Sequence, residues 1–329
     1  MVLNRRQFMK RSGALGAGLS IAPLLGSPLV NRALADIGNR FLVVVFLEGG
    51  NDGLNTITPM NDGAGSLRTD YEDARRTVNI SADELLLLGT DPSSEATLGM
   101  NPGLSGLQSL YQSGQLAVLQ NCGYPDPDLS HKISRRIWET AAPLGSGRTE
   151  GWLGRSLESE GYGSKELPVF TTVDRIPGEF AQGTTGVLTV RDLAKFGFPG
   201  DPDWPSDDSV RKAASAALFQ NARDSGEDAL EYLGATGGSL IAATENYPAL
   251  HDAYASTRGD FLQAYRALDG EVGAQLSEVA KVIHGTRAGA TGVNSRFFQI
   301  TQDGYDTHAN QGRATAGGRH YNLMRDLGD

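Results

Sequence analysis

The sequence predicts an α/β fold, a mostly parallel sheet flanked by helices. Two observations carry that prediction. Short runs of strand character, the first of them wholly apolar, recur at residues 41–47, 116–122, 167–173 and 295–301, and stretches of helical periodicity separate them. Strands alternating with helices build parallel sheets, because a parallel connection needs a crossover long enough to hold a helix.

Taken in order, residues 41–47 form an unbroken β-branched and aromatic run, too short for a helix, and read as a central parallel strand. A helix over 104–111 follows from Leu104, Leu107, Leu110 and Tyr111 sharing one face just after Pro102. Residues 116–122 read as the next buried strand, with Cys122 as a small buried hydrophobe. Residues 130–141 carry Ile133, Ile137 and Trp138 at helical spacing, and 167–173 give a third strand. A Pro- and Asp-rich loop over 196–208 leads into alanine-rich helices at 209–233 and 249–268, a helical insertion at about 205–270 within one domain. A helix over 271–284 places Leu276, Val279, Ala280 and Ile283 together, and 295–301 supply the fourth strand. The last residues, 323–329, read as a helix with no strand to receive it, so a further C-terminal part of the fold is expected beyond Asp329.

The N-terminus carries an address. Arg5 and Arg6, a spacer, Phe8 and Lys10 match the twin-arginine export signal. A mildly apolar stretch broken by Pro23, Pro28 and several glycines follows, and it ends at Ala33-Leu34-Ala35, a small-x-small cleavage site. The interruptions argue against a stable membrane span. The expectation is therefore a signal peptide at 1–35, the twin-arginine translocase and signal peptidase as partners, and a periplasmic or extracytoplasmic domain at 36–329. Cleavage takes 35 of the 329 residues and five of the 29 basic side chains, leaving 294 residues with 24 basic and 39 acidic groups, a net charge of −15. That balance excludes nucleic acid as a partner, since phosphate backbones require a positive footprint. One cysteine allows no intramolecular disulfide, and no glycine-rich dinucleotide fingerprint or haem motif is present, which speaks against a nucleotide cofactor or redox chemistry.

Polar residues just beyond apolar strands matter most, because open α/β sheets bind ligands at the carboxyl ends of their strands. Three clusters stand there: Glu48-Gly49-Gly50-Asn51-Asp52-Gly53-Leu54-Asn55, Tyr124-Pro125-Asp126-Pro127-Asp128-Leu129-Ser130-His131, and Asp303-Gly304-Tyr305-Asp306-Thr307-His308-Ala309-Asn310. Gly49-Gly50 and Asp52-Gly53 fit turn chemistry and ligand binding equally well. Ser130 fits a helix N-cap, and it also fits a nucleophile at a helix N-terminus with backbone N–H groups to hold an anion. Asp306 and His308, two apart in extended backbone, point the same way and suit zinc, manganese or iron better than calcium. His251 and His284 fall in predicted helices as structural residues, and His320 lies in the last helix, free to face the same rim.

These clusters, with Gly151-Trp152-Leu153-Gly154-Arg155, resemble the bacterial domain-of-unknown-function family fifteen-oh-one across nearly the whole chain beyond the signal. That family is related to the alkaline phosphatase and sulfatase superfamily, which implies an alkaline-phosphatase-like sheet with a metal site at the strand ends. Carried over, the resemblance implies Ser130 as nucleophile with His131 beside it, and Asp52, with Glu48 as the alternative, joining Asp306 and His308 as ligands of a divalent metal. It implies an exported hydrolase of phosphate or sulfate esters. The alternative is a non-catalytic envelope protein of the same fold binding a glycan or a protein. The family's Glu-Phe-Gly-Arg-like and Asp-His-Gly-like segments are absent from these 329 residues.

Overall fold

The computed structural model describes residues 40–162, 167–181, 186–267, 270–312 and 317–329, with backbone alone over 258–267. The expected signal peptide at 1–35 lies outside the described residues.

The fold is α/β. Strands β1 (Leu42–Leu47), β5 (Val169–Thr171), β6 (Val187–Thr189) and β7 (Phe297–Gln302) form one sheet in the order β1-β7-β5-β6. Every pairing in it is parallel, with Leu42 opposite Phe297, Val169 opposite Phe297 and Val187 opposite Val169. Helices cover both faces. Phe298 and Ile300 of β7 face one core with Phe170, Leu188, Tyr247, Leu250, Val279 and Val282. Phe297 faces the other, with Leu153, Leu157, Val169 and Phe180. Cover on both faces explains why β1 reads as an unbroken apolar run.

Two strand expectations need correction. Residues 41–47 do form a strand, but β1 lies at an edge and pairs only with β7 among the described residues. The apolar run had signalled two covered faces, and a run signals nothing about edges. Residues 116–122 are not a strand. Leu116 and Val118 turn inward while Leu119 is 71% exposed, so the period-two pattern is present, but no neighbouring strand completes a ladder. Strand propensity describes a fit to a pleated surface, and here that surface has no neighbour. Cys122 is accordingly exposed, not buried.

The sequence reading also missed a second sheet, antiparallel in the order β2 (Ile57–Pro59), β4 (Thr97–Met100), β3 (Leu86–Thr90). Helix α1 (Leu67–Arg75) lies between β2 and β3, and α2 (Ser105–Gln112) follows β4. Then come α3 (His131–Thr140) and α4 (Trp152–Ser159). The predicted helix over 209–233 is two, α5 (Asp208–Arg223) and α6 (Asp228–Asn246), because Asp224, Ser225 and Gly226 at φ +74° break it. Helices α7 (Pro248–Ala267), α8 (Glu271–Arg287) and α9 (Arg319–Gly328) complete the described elements. No helix among the described residues is long and apolar enough to cross a membrane.

One side chain repairs a gap in the sheet. Strand β5 stops at Thr171, so β7 runs on past it without a neighbour on that side. Gln275 of α8 supplies the missing partner, accepting from Thr301 N at 3.1 Å and donating to Thr301 O at 2.6 Å. Buried backbone groups must find partners, and an amide side chain mimics a strand.

Candidate functional site

The three polar clusters meet at the carboxyl end of β1 and β7. Register makes this inevitable for two of them: parallel neighbours exit on the same side, and Tyr305 N donates to Glu48 O at 3.1 Å. The first turn is built from Gly49 and Gly50, at φ +108° and +84°. A Cβ on Gly49 would collide with the Asp306 backbone nitrogen, and one on Gly50 would lie 2.6 Å from His131 Cε1. Turn chemistry holds at Gly49 and Gly50: the left-handed glycines let loop 303–310 and the His131 ring pack directly on the turn.

His131 arrives by another route. It opens α3, whose next turn is fixed by Arg135, four residues on and on the same face. Arg135 Nε donates to Glu139 at 2.6 Å, its NH1 pairs with Glu48, and its guanidinium lies over Phe46 at 4.8 Å. His131 Nε2 then stands 3.4 Å from Asp306 Oδ1. His308 Nε2 approaches the same oxygen at 3.0 Å. His308 holds φ +45°, a conformation L residues avoid. All three side chains are open to solvent, with 46% exposure for Asp306, 56% for His131 and 80% for His308.

Ser130 is the N-cap of α3, its Oγ accepting from Ile133 N at 3.4 Å, while its own N–H donates to Asp128 at 2.8 Å. The residue before it, Leu129, is 87% exposed at φ +65°.

Asp52 stands differently. Its carboxylate carries the Arg75 guanidinium and the Gln311 amide. Beside it, Asn51 donates to Thr56 Oγ1 at 2.9 Å and meets His320 Nε2 at 2.9 Å. His320 is 2% exposed, and burial, with Arg75 adding to it, pushes its pKa down to about 4. Glu48, the alternative ligand, is shared by Arg135 and by Arg175, the latter at 3.3 Å. Deeper in, Glu179 is 5% exposed and burial raises its pKa.

The trio of His131, Asp306 and His308 has the donor chemistry of a transition-metal site. Among the described residues, however, no three His, Cys, Asp or Glu side chains already stand as a cage around one point. Arg75, Arg135, Gln311 and Glu179 were not anticipated. Arg135 was legible in principle, one helical turn from His131; Arg75 and Gln311 are brought in by contacts that no local pattern encodes.

No family model, no curated protein and no solved structure matches the chain.

Proposed function

We propose that the protein is an exported, metal-dependent hydrolase of phosphate or sulfate esters, with an alkaline-phosphatase-like arrangement of its sheet and site. The observation that supports this reading is the meeting of His131, Asp306 and His308 on one oxygen at the rim, beside Ser130. Asp306 and His308 would hold the cation, which on binding lowers the pKa of a coordinated hydroxyl and offsets charge on the transferred group. Ser130 is the nucleophile, its hydroxyl opening from the N-terminus of α3, where backbone N–H groups and the helix dipole favour an anionic group. Arg135, clamped between Glu48 and Glu139, fixes the helix that carries it. The twin-arginine signal gives the periplasm or another extracytoplasmic space as the place of action. The family resemblance adds to this reading.

A second reading has its own support: Ser130 Oγ is engaged as a cap, and Glu48 and Asp52 are engaged by arginines, which suits a binding protein that takes a glycan or protein partner. Turnover of aryl phosphates and aryl sulfates with zinc or manganese, and metal content by elemental analysis, separate the two. The hydrolase reading expects copurifying metal and loss of both metal and turnover in Asp306→Ala/His308→Ala. Metal-free folded protein with no turnover under any supplement would favour the binding protein.

A further inference from the structure

We infer that His131 is a cation ligand, completing a set of two imidazoles and one carboxylate with Asp306 and His308 and leaving a position open for substrate. This rests on the hydrolase reading and sharpens it, because the residue beside the nucleophile then binds metal and does not act as acid or base.

Donor spacing is the first argument. Ligands bonded to zinc at about 2.0–2.1 Å in a tetrahedral shell stand about 3.3 Å from one another. Asp306 Oδ1 lies 3.0 Å from His308 Nε2 and 3.4 Å from His131 Nε2. Two of the three edges of a ligand triangle therefore already have the length a bound cation needs. Only the edge between the imidazoles is left to adjust, and both rings are more than half exposed.

Charge is the second. A cation settles where a carboxylate is not already neutralised. Asp52 is taken by Arg75, and Glu48 by Arg135 and Arg175. Among the described residues, Asp306 is paired with the imidazoles of His131 and His308, which are ligands in their neutral form. This places Asp52 behind the site, as the clasp that ties Gln311, and with it loop 303–312, to the first turn.

Construction is the third. The His131 ring occupies space that any residue but glycine at position 50 would fill, and α3 is anchored one turn further on by two carboxylates. His308 is held in a strained backbone conformation. Such strain persists where the surroundings enforce it, and it gathers at ligand sites.

Cobalt(II) titration of the purified chain, read by visible absorption and calorimetry, tests the assignment without reference to turnover. Wild type should bind one equivalent with the intense bands of a four- or five-coordinate site. His131→Ala and His131→Gln should each weaken binding by more than about tenfold and change the spectrum. Asp306→Ala and His308→Ala should behave likewise, while Glu271→Gln, in the acidic cluster with Asp303 and Asp326, keeps wild-type affinity and bands. Thermal melts confirm folding, and His131 is exposed enough for both substitutions to be tolerated. If His131 variants keep the wild-type affinity and spectrum while Asp306 and His308 variants lose them, the assignment of His131 is wrong and the hydrolase reading survives. If wild type binds no cobalt, both fall.

Discussion

At the scale of single residues, the site depends on groups that cannot be exchanged for near relatives. Gly50 is the clearest. Alanine there must adopt φ +84° and push against the His131 ring. Gly50→Ala should cost about 1–3 kcal/mol in denaturant unfolding and disturb the His131 ring resonances in NMR spectra. Unchanged stability and an unmoved ring would contradict the packing described. His320 sets a second expectation. Its pKa is about 4 folded against 6.5 unfolded, so the fold favours neutral imidazole. That contribution is fully present above pH 6.5 and shrinks as pH falls, because the unfolded chain takes up a proton the folded one refuses. It is lost by about pH 4, below which His320 adds no further dependence. The loss amounts to about 3 kcal/mol. Unfolding free energies measured from pH 7 to 4 should fall more steeply in wild type than in His320→Gln.

At the scale of elements, β1 shows both what a sequence discloses and what it conceals. Its six apolar residues announced a strand covered on two faces, and Leu42 and Val44 do pack on one core while Val43 and Val45 pack on the other. Its place at the sheet edge was not legible, since edges are decided by partners and not by the strand itself. The edge has a measurable consequence. Leu42 N donates to Arg296 O, just before β7, and Glu48 N to Gln302 O, and parallel pairing alternates, so the N–H groups of Val44 and Phe46 also face β7 while those of Val43, Val45 and Leu47 face outward. Hydrogen exchange should protect Val44 and Phe46 far more than Val43 and Val45, and equal protection of all four would mean a partner on the open side. Residues 116–122 fail as a strand for the same reason: their alternation is right and their neighbour is lacking. The antiparallel sheet went unread because β2 has three residues, includes Pro59, and carries little apolar pattern. The longer helices fared better, since 3.6-residue periodicity over ten or more positions is a strong local signal, but the short helices α1 and α4, the break at Gly226 and the continuation of α6 to Asn246 were overlooked.

At the scale of the whole molecule, one arrangement organises the rest. A sheet buried on both faces sends β1 and β7 out side by side, and α3 brings His131 across to meet them. Two of the polar clusters were legible as a shared rim because strand ends collect ligands in this class of fold, whereas the cluster at 124–131 follows no strand and reaches the rim at the start of α3. Their division of labour was not, because it depends on which carboxylates the arginines reach. Asp306 meets His131 and His308, the cation set proposed above, while Asp52 and Glu48 are paired with arginines. The chain's net charge of −10 means that acidic side chains elsewhere compete for any added metal, Glu271, Asp303 and Asp326 among them. Paramagnetic broadening by manganese(II), followed amide by amide in a heteronuclear NMR spectrum, distinguishes the two places directly. At a small fraction of an equivalent, the account expects Gly49, Gly50, His131, Asp306 and His308 to broaden first and together. Broadening centred on Glu271 and Asp326, or spread evenly over the acidic surface, would contradict it.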